Sequence, residues 1–282
     1  MLLPIILKYS LINKSHANLS KEQIKELQHK KFLRLVAYVA DHSPYYQEII
    51  ATNNIDIKNC TPQDFPELTK ETVIERFDDI VTDSHITKDA IASFLARSTN
   101  PMELFLNKYY VVHSSGSSGT VGYFLYKENE LACGLSHFSR LRKISVLQKF
   151  AFVGATKGHF AGITMVSSAK NLPILYRDVA TFDINMPFDE ILDGIQKFQP
   201  TSLSGYSYAL RKIAEAQAEG KISISPKVIQ SSGDAISSAD KEFVERVFNI
   251  SLLNVYAATE HFIMGSIQRG YVKLCVGDFH PA

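Results

Sequence analysis

Cysteine is scarce in this 282-residue sequence: there are three, Cys60, Cys133 and Cys275, odd in number, widely spaced and without a C-x-x-C pair. That pattern excludes a secreted disulfide framework and a zinc ribbon, and it fits a reducing cytoplasm. An excess of one sign of charge is also lacking, because 30 Lys+Arg against 29 Asp+Glu leave a formal net charge of +1. No strong field therefore favours a nucleic-acid or anionic-membrane partner. Nor is there the run of about 20 apolar residues that a membrane span needs. The most membrane-like stretch, residues 2–7, is interrupted by Lys8 and lacks the basic start and small-residue cleavage site of a signal peptide. It reads as a packed N-terminal segment. What the sequence does have is core: 45% hydrophobic and 21% charged residues mark a soluble globular chain. A chain of this length buries about 75% of the surface its unfolded form exposes, and the length allows about two domains.

Residues 1–100 read as a mostly helical N-terminal region. Ser20 caps a long helix, Gln23 closes a capping box, and Ile24, Leu27, Leu35 and Val39 form its apolar stripe. Ser43-Pro44 ends or kinks that helix, and Thr61-Pro62 and Thr69 mark further starts. Residues 101–282 change character, with short β-rich runs alternating with amphipathic helices as in βαβ units. Strands are expected at 109–112 and 123–126, joined by a Ser/Gly loop, with a helix from 128 to about 147. Further strands are expected at 150–153, 201–204, 228–230 and 252–256, and helices at about 188–198, from 208 to Gly220, and 238–248. Right-handed crossovers make such strands parallel neighbours, and ligands of open parallel sheets sit outside the strands' carboxyl ends. Three polar turns fall there: Gly205-Tyr206-Ser207, Ser231-Ser232-Gly233-Asp234 and Ala257-Ala258-Thr259-Glu260-His261.

The densest chemical signal is Ser114, Ser115, Gly116, Ser117, Ser118, Gly119 and Thr120, five hydroxyls and two glycines without a bulky side chain. Such a loop can wrap backbone N–H groups and hydroxyls around phosphate oxygens, and its apolar flanks argue against a linker. It is not a Walker loop, which requires a lysine after its last glycine. The second signal is the strand from Asn254 that runs into Tyr256, Thr259 and Glu260. Tyr256 offers a flat face to a base, Thr259 a donor to phosphate and Glu260 a carboxylate for Mg²⁺. Cys133 and His137, four residues apart on one helix face, supply only two metal ligands and read as packed side chains.

In this order the two stretches resemble the Ser/Thr/Gly-rich phosphate loop and the aromatic-Gly-x-Thr-Glu motif of the adenylate-forming superfamily, the acyl-CoA synthetases, adenylation domains and luciferases. Residues 230–234, with Ser232, Gly233 and Asp234, are similar to that superfamily's adenine-side turn. The segments around residues 33–46 and 65–70 resemble the opening of its phenylacetate-CoA ligase-like branch, which includes proteins of capsular polysaccharide loci. The resemblance implies an α/β fold, the superfamily's N-terminal domain, with a largely parallel sheet flanked by helices after a helical region. It implies a ligase that binds ATP and Mg²⁺, activates a small carboxylic acid, aromatic by the branch's default, as an acyl-adenylate, and passes it to coenzyme A or another thiol. Ser115, Ser117, Ser118 and Thr120 would then hold the β/γ-phosphates, Tyr256 would stack on adenine, Thr259 would touch the α-phosphate and Glu260 would hold Mg²⁺. A homodimer is compatible with the resemblance, which does not fix the oligomeric state.

The sequence departs from the family at three places. Thr120-Val121 stands where the loop usually has Lys-Pro, and Ala257 where the second motif usually has Gly. The sequence reaches Ala282 before any match to the family's ribose-binding aspartate, hinge and C-terminal lid domain. The expectation is therefore an incomplete nucleotide-binding core, either a fragment or a shortened protein that binds nucleotide without turnover. Gly205-Tyr206-Ser207-Tyr208-Ala209 also approximates a nucleophile elbow, which makes a serine hydrolase with Ser207, Asp234 or Asp240, and His261 or His280 a competing expectation.

Overall fold

A computed structural model describes residues 2–116, 121–138, 146–268 and 271–274. The N-terminal apolar run forms helix α1 (Leu2–His16), whose Leu2 and Ile6 are buried among Leu131, Leu135, Leu172 and Phe262. Asn13, also buried, donates to the Ser136 hydroxyl at 2.8 Å. Among the described residues no helix is long and apolar enough to cross a membrane.

Helix α2 (Lys21–His42) begins at the expected capping box, with Gln23 N donating to the Ser20 hydroxyl and Ser20 N to the Gln23 side chain. It stops at Ser43 because Pro44 cannot continue the ladder, and Pro44 opens α3 (Pro44–Thr52). Three shorter helices follow, α4 (Lys70–Glu75), α5 (Phe77–Ile80) and α6 (Lys88–Arg97).

The described strands form two sheets. The smaller is antiparallel: β1 (Leu104–Phe105), β2 (Tyr109–His113) and β3 (Tyr123–Tyr126). The larger contains β4 (Gln148–Gly154), β5 (Tyr176–Asp183), β6 (Ser202–Gly205), β7 (Val228–Ser231), β8 (Leu252–Ala258), β9 (Phe262–Gln268) and β10 (Tyr271–Leu274), in the order β10-β9-β8-β7-β6-β4-β5. Strands β4 to β8 are parallel, and β9 and β10 add an antiparallel edge. The accompanying helices are α7 (Glu128–Ser136), α8 (Ala161–Ala169), α9 (Phe188–Phe198), α10 (Ser207–Ala218) and α11 (Ser238–Phe248).

Alternation along the central strands gives the large sheet two different faces. Ala151, Val153, Leu203, Ile229 and Leu252 pack against α9, α10 and α11 through Ile191, Ile195, Leu210, Ile213 and Val244, an all-apolar core. The opposite face carries the rung Phe152, Ser204 and Gln230, which are register partners on β4, β6 and β7. Alpha-helical cover on that side comes from α1, α7 and α8.

One expectation is corrected, and two elements lie beyond the sequence reading. Of the helix expected from 128 to about 147, Glu128–Ser136 is described and residues 139–145 lie outside the described residues: Ser136 turns its hydroxyl back to the Cys133 carbonyl, and His137 N tightens onto Gly134. Leu147 is not helical, since its N–H joins the Ile174 carbonyl at the entry to β4. Strand β5 and helix α8 were not foreseen. As an edge strand, β5 exposes Arg177 and Asp178, which hides its alternation, and α8 is built largely from small residues.

Candidate functional site

The carboxyl ends of β4, β6, β7 and β8 face one edge of the large sheet, and the β2–β3 hairpin is fastened to that edge at both limbs. On the β2 side, His113 N donates to the His159 carbonyl at 2.9 Å, and the His113 ring lies 4.4 Å from that of Phe160, in the loop after β4. On the β3 side, the Tyr126 hydroxyl donates to the Thr259 carbonyl just beyond β8. The base of the hairpin loop is closed by Ser114 N to the Gly122 carbonyl and by Gly122 N to the Ser114 hydroxyl, each at 2.9 Å. Ser114, Ser115 and Gly116 thus stand at the edge, while Ser117, Ser118, Gly119 and Thr120 lie outside the described residues.

Tyr126 is pushed to a high pKa by burial, reinforced by the Glu260 carboxylate nearby and by Glu130, so its hydroxyl keeps its proton and serves as a donor. The same proximity fixes Glu260 close to the β3 end, with its own side chain exposed. Tyr256 is 62% exposed, a large ring left open on the edge rather than packed in the core. Among the described residues no group of three or more His, Cys, Asp or Glu could hold a metal ion. Glu260 fits Mg²⁺ in another way, since that ion commonly takes one or two carboxylates together with substrate phosphates. Cys133 on α7 and His137, the residue capping its end, are both buried.

The Ser231–Asp234 turn is built around Tyr206. A Cβ on Gly233 would stand 2.9 Å from the Tyr206 ring and one on Gly154 3.3 Å from it, so glycine on both sides makes room for the ring. Ser232 N donates to the Gly205 carbonyl at 3.2 Å, which ties the ends of β6 and β7 together. Asp234 accepts from Ser207 N at 2.7 Å and from the Ser207 hydroxyl at 2.6 Å, capping α10, where the helix dipole favours a carboxylate. This pairing opposes the hydrolase reading. A triad needs an imidazole between serine and acid, whereas here the hydroxyl donates directly to Asp234, with a further contact to the Ala235 carbonyl at 3.1 Å.

Several residues that shape the site carried little sequence signal. Asp183, buried at the end of β5, accepts from the Thr156 hydroxyl at 2.7 Å and from Asn185 N at 2.9 Å, fixing the loop after β4. Burial alone would raise its pKa; the bonds from Thr156 and Asn185 outweigh it and hold the carboxyl below its usual value. The Asp-x-Asn turn was the one local hint. Tyr126 and His159 act through partners more than 45 positions away in the chain, which no local pattern records.

No family model matches the chain. It is similar to Protein CapK of Staphylococcus aureus, 24% identical over 257 residues that cover 83% of this chain and 50% of CapK. In structure it is similar to 2-hydroxyisobutyryl-CoA ligase in the postadenylation state in complex with 2-HIB-AMP, with a TM-score of 0.65 at 12% identity, covering 89% of this chain and 52% of that one. The open conformation of the same ligase, in complex with 2-HIB-AMP and CoA, gives 0.63 at 12% identity over 89% and 57%. The chain thus spans about half the length of these relatives. The parallel sheet, its flanking helices and that coverage lead to one conclusion: the chain has the fold of the N-terminal domain of the adenylate-forming enzymes.

Proposed function

We propose that this chain binds ATP across the edge formed by the 114–122 loop and the Tyr256–Glu260 stretch, and that it serves in activating a small carboxylic acid as an acyl-adenylate for transfer to coenzyme A or another thiol. The observation that carries the reading is the Tyr126–Thr259 hydrogen bond, which draws two stretches more than 130 residues apart onto one edge. The solved relatives, a CoA ligase in complex with 2-HIB-AMP and CoA, support the nucleotide, the adenylate and the thiol together. The resemblance to the phenylacetate-CoA ligase-like branch favours an aromatic acid.

In this reading the hydroxyls and N–H groups of the 114–122 loop hold the terminal phosphates, and the ring of Tyr256 stacks on adenine. Thr259 meets the α-phosphate, with its carbonyl already fixed by Tyr126. Glu260 holds Mg²⁺, which when bound neutralises phosphate charge. The Ser232–Asp234 turn closes the adenine side, with Asp234 holding that turn against α10. Attack by the substrate carboxylate on the α-phosphate expels pyrophosphate, and the protein contributes position and charge rather than a covalent step.

Calorimetry on Glu260→Ala tests this. The variant is expected to lose about tenfold or more in Mg-ATP affinity while AMP binding changes little, because the carboxylate acts through the metal on the phosphates. Equal losses for both ligands would remove Glu260 from that role. Pyrophosphate exchange across a panel of acids separates turnover from nucleotide binding alone.

A further inference from the structure

The loops that follow the carboxyl ends of β4, β5, β6, β7 and β8, together with the described base of the β2–β3 hairpin, contain a single lysine or arginine, Lys157. Residues 117–120 add none, so the hydroxyl-rich loop brings no positive charge of its own. Lys157 is exposed and pairs with no carboxylate among the described residues. Arg211 and Lys212 on α10, by contrast, are both held by Glu215.

An exposed lysine is ordinary on a protein surface. What sets Lys157 apart is that the turn carrying it is fixed on both sides and against the hairpin. Before it, the Thr156 hydroxyl donates to the buried Asp183 at 2.7 Å. After it, the His159 carbonyl accepts from His113 N at 2.9 Å, and His113 Nε2 lies 3.7 Å from the place a Cβ on Gly158 would take. His113 in turn grips the start of the loop, since its Nδ1 donates to the Ser114 carbonyl at 3.0 Å. The backbone at Lys157 therefore stands beside the first residue of the 114–122 loop, on the β2 limb of the hairpin, whereas Thr259 is held by Tyr126 on the β3 limb.

We propose that Lys157 is the side-chain cation that holds the terminal phosphates of the nucleotide at the 114–122 loop. The inference rests on the function proposed above and adds a binding residue that lies outside both of the motifs read from the sequence. N–H groups and hydroxyls donate hydrogen bonds to phosphate oxygens but leave their charge unneutralised, and an ammonium supplies both the bond and the opposite charge. Lysine suits this place because it acts as a point charge on a flexible stem, so a fixed backbone beside the loop is enough to present it. Its position on the β2 limb directs it to the terminal phosphates rather than to the α-phosphate, which the Thr259 side of the edge would meet.

The test is calorimetric titration of the whole chain with Mg-ATP and with AMP, in the natural protein and in Lys157→Gln, Lys157→Arg and Lys170→Gln, the last an exposed lysine at the end of α8. Lys157→Gln is expected to weaken Mg-ATP about tenfold, as the loss of one charge-assisted hydrogen bond does, and to leave AMP unchanged. Lys157→Arg, which keeps the charge, is expected to retain most of the Mg-ATP affinity, and Lys170→Gln all of it. The gap between the natural protein and Lys157→Gln is expected to narrow as salt is added, because the contact is exposed to screening. Unchanged Mg-ATP affinity in Lys157→Gln, an equal loss for AMP, a loss in Lys157→Arg as large as in Lys157→Gln, or an equal loss in Lys170→Gln overturns the assignment of Lys157 while the nucleotide edge stands. No Mg-ATP binding by the natural protein overturns both. Without ligand the melting temperature of Lys157→Gln is expected to match that of the natural protein, since the ammonium has no partner there; a fall would place Lys157 in the fold and overturn the proposal.

Discussion

Replacing Gly233 by alanine should strain the Ser231–Asp234 turn in two separable ways. The backbone there has φ +93°, where an L side chain costs about 1–2 kcal/mol. The new Cβ would also stand 2.9 and 3.1 Å from two atoms of the Tyr206 ring. The ring lies edge-on to Phe152 at 6.4 Å, which limits how far it can swing aside. Such overpacking costs about 1–3 kcal/mol, for a total of about 2–5 kcal/mol. Gly220 supplies the control: its φ is +73° and nothing lies within 4 Å of its built Cβ, so Gly220→Ala should cost only the backbone part, about 1–2 kcal/mol. Urea unfolding at constant m-value measures both. The excess of Gly233→Ala over Gly220→Ala should shrink when Tyr206 is replaced by leucine, as neighbouring sites couple. If the two alanine variants lose equal stability, or if the excess persists in Tyr206→Leu, the packing of Tyr206 against Gly233 is not what sets the turn.

Two pH dependences follow from the buried His159 and the part-buried Asp83. His159 is buried between the Val111 carbonyl and the Ser98 hydroxyl, both at 3.2 Å, and burial lowers its pKa below the ordinary value. The unfolded chain then takes up a proton that the folded protein refuses, so stability falls as the pH drops below about 6.5. His159→Gln should flatten the urea midpoint between pH 7 and 5 relative to the natural protein, and parallel profiles would refute the account. Asp83 accepts from the Tyr109 hydroxyl at 2.7 Å and from Lys108 at 2.9 Å, which hold its carboxyl well below the usual range. Its contribution is complete above about pH 4 and is lost in acid, so Asp83→Asn should cost about 1–3 kcal/mol at neutral pH, with the gap closing below pH 4. A gap that stays constant into acid would assign the loss to packing.

Local chemistry made much of the architecture readable. Ser20 and Gln23 satisfy each other's backbone donors within one turn, and Pro44 stops one helix and opens the next through its fixed φ and missing N–H. The strands β4, β6, β7 and β8 are readable because each is followed by a helix or a polar turn. Edge strand β5 did not, since Arg177 and Asp178 are tolerated where one side of the strand is open to water.

The candidate site divides along the same line. Its hydroxyl-rich loop and its Tyr256, Thr259 and Glu260 were legible because each chemistry is contained in a few consecutive residues. What a sequence determines is which groups are offered and where along the chain. That Tyr126 holds Thr259 and that Asp234 caps α10 rather than backing a nucleophilic serine were decided only when distant segments packed together. Those contacts depend on strand order and on which face each helix covers, and neither quantity exists until the chain has folded.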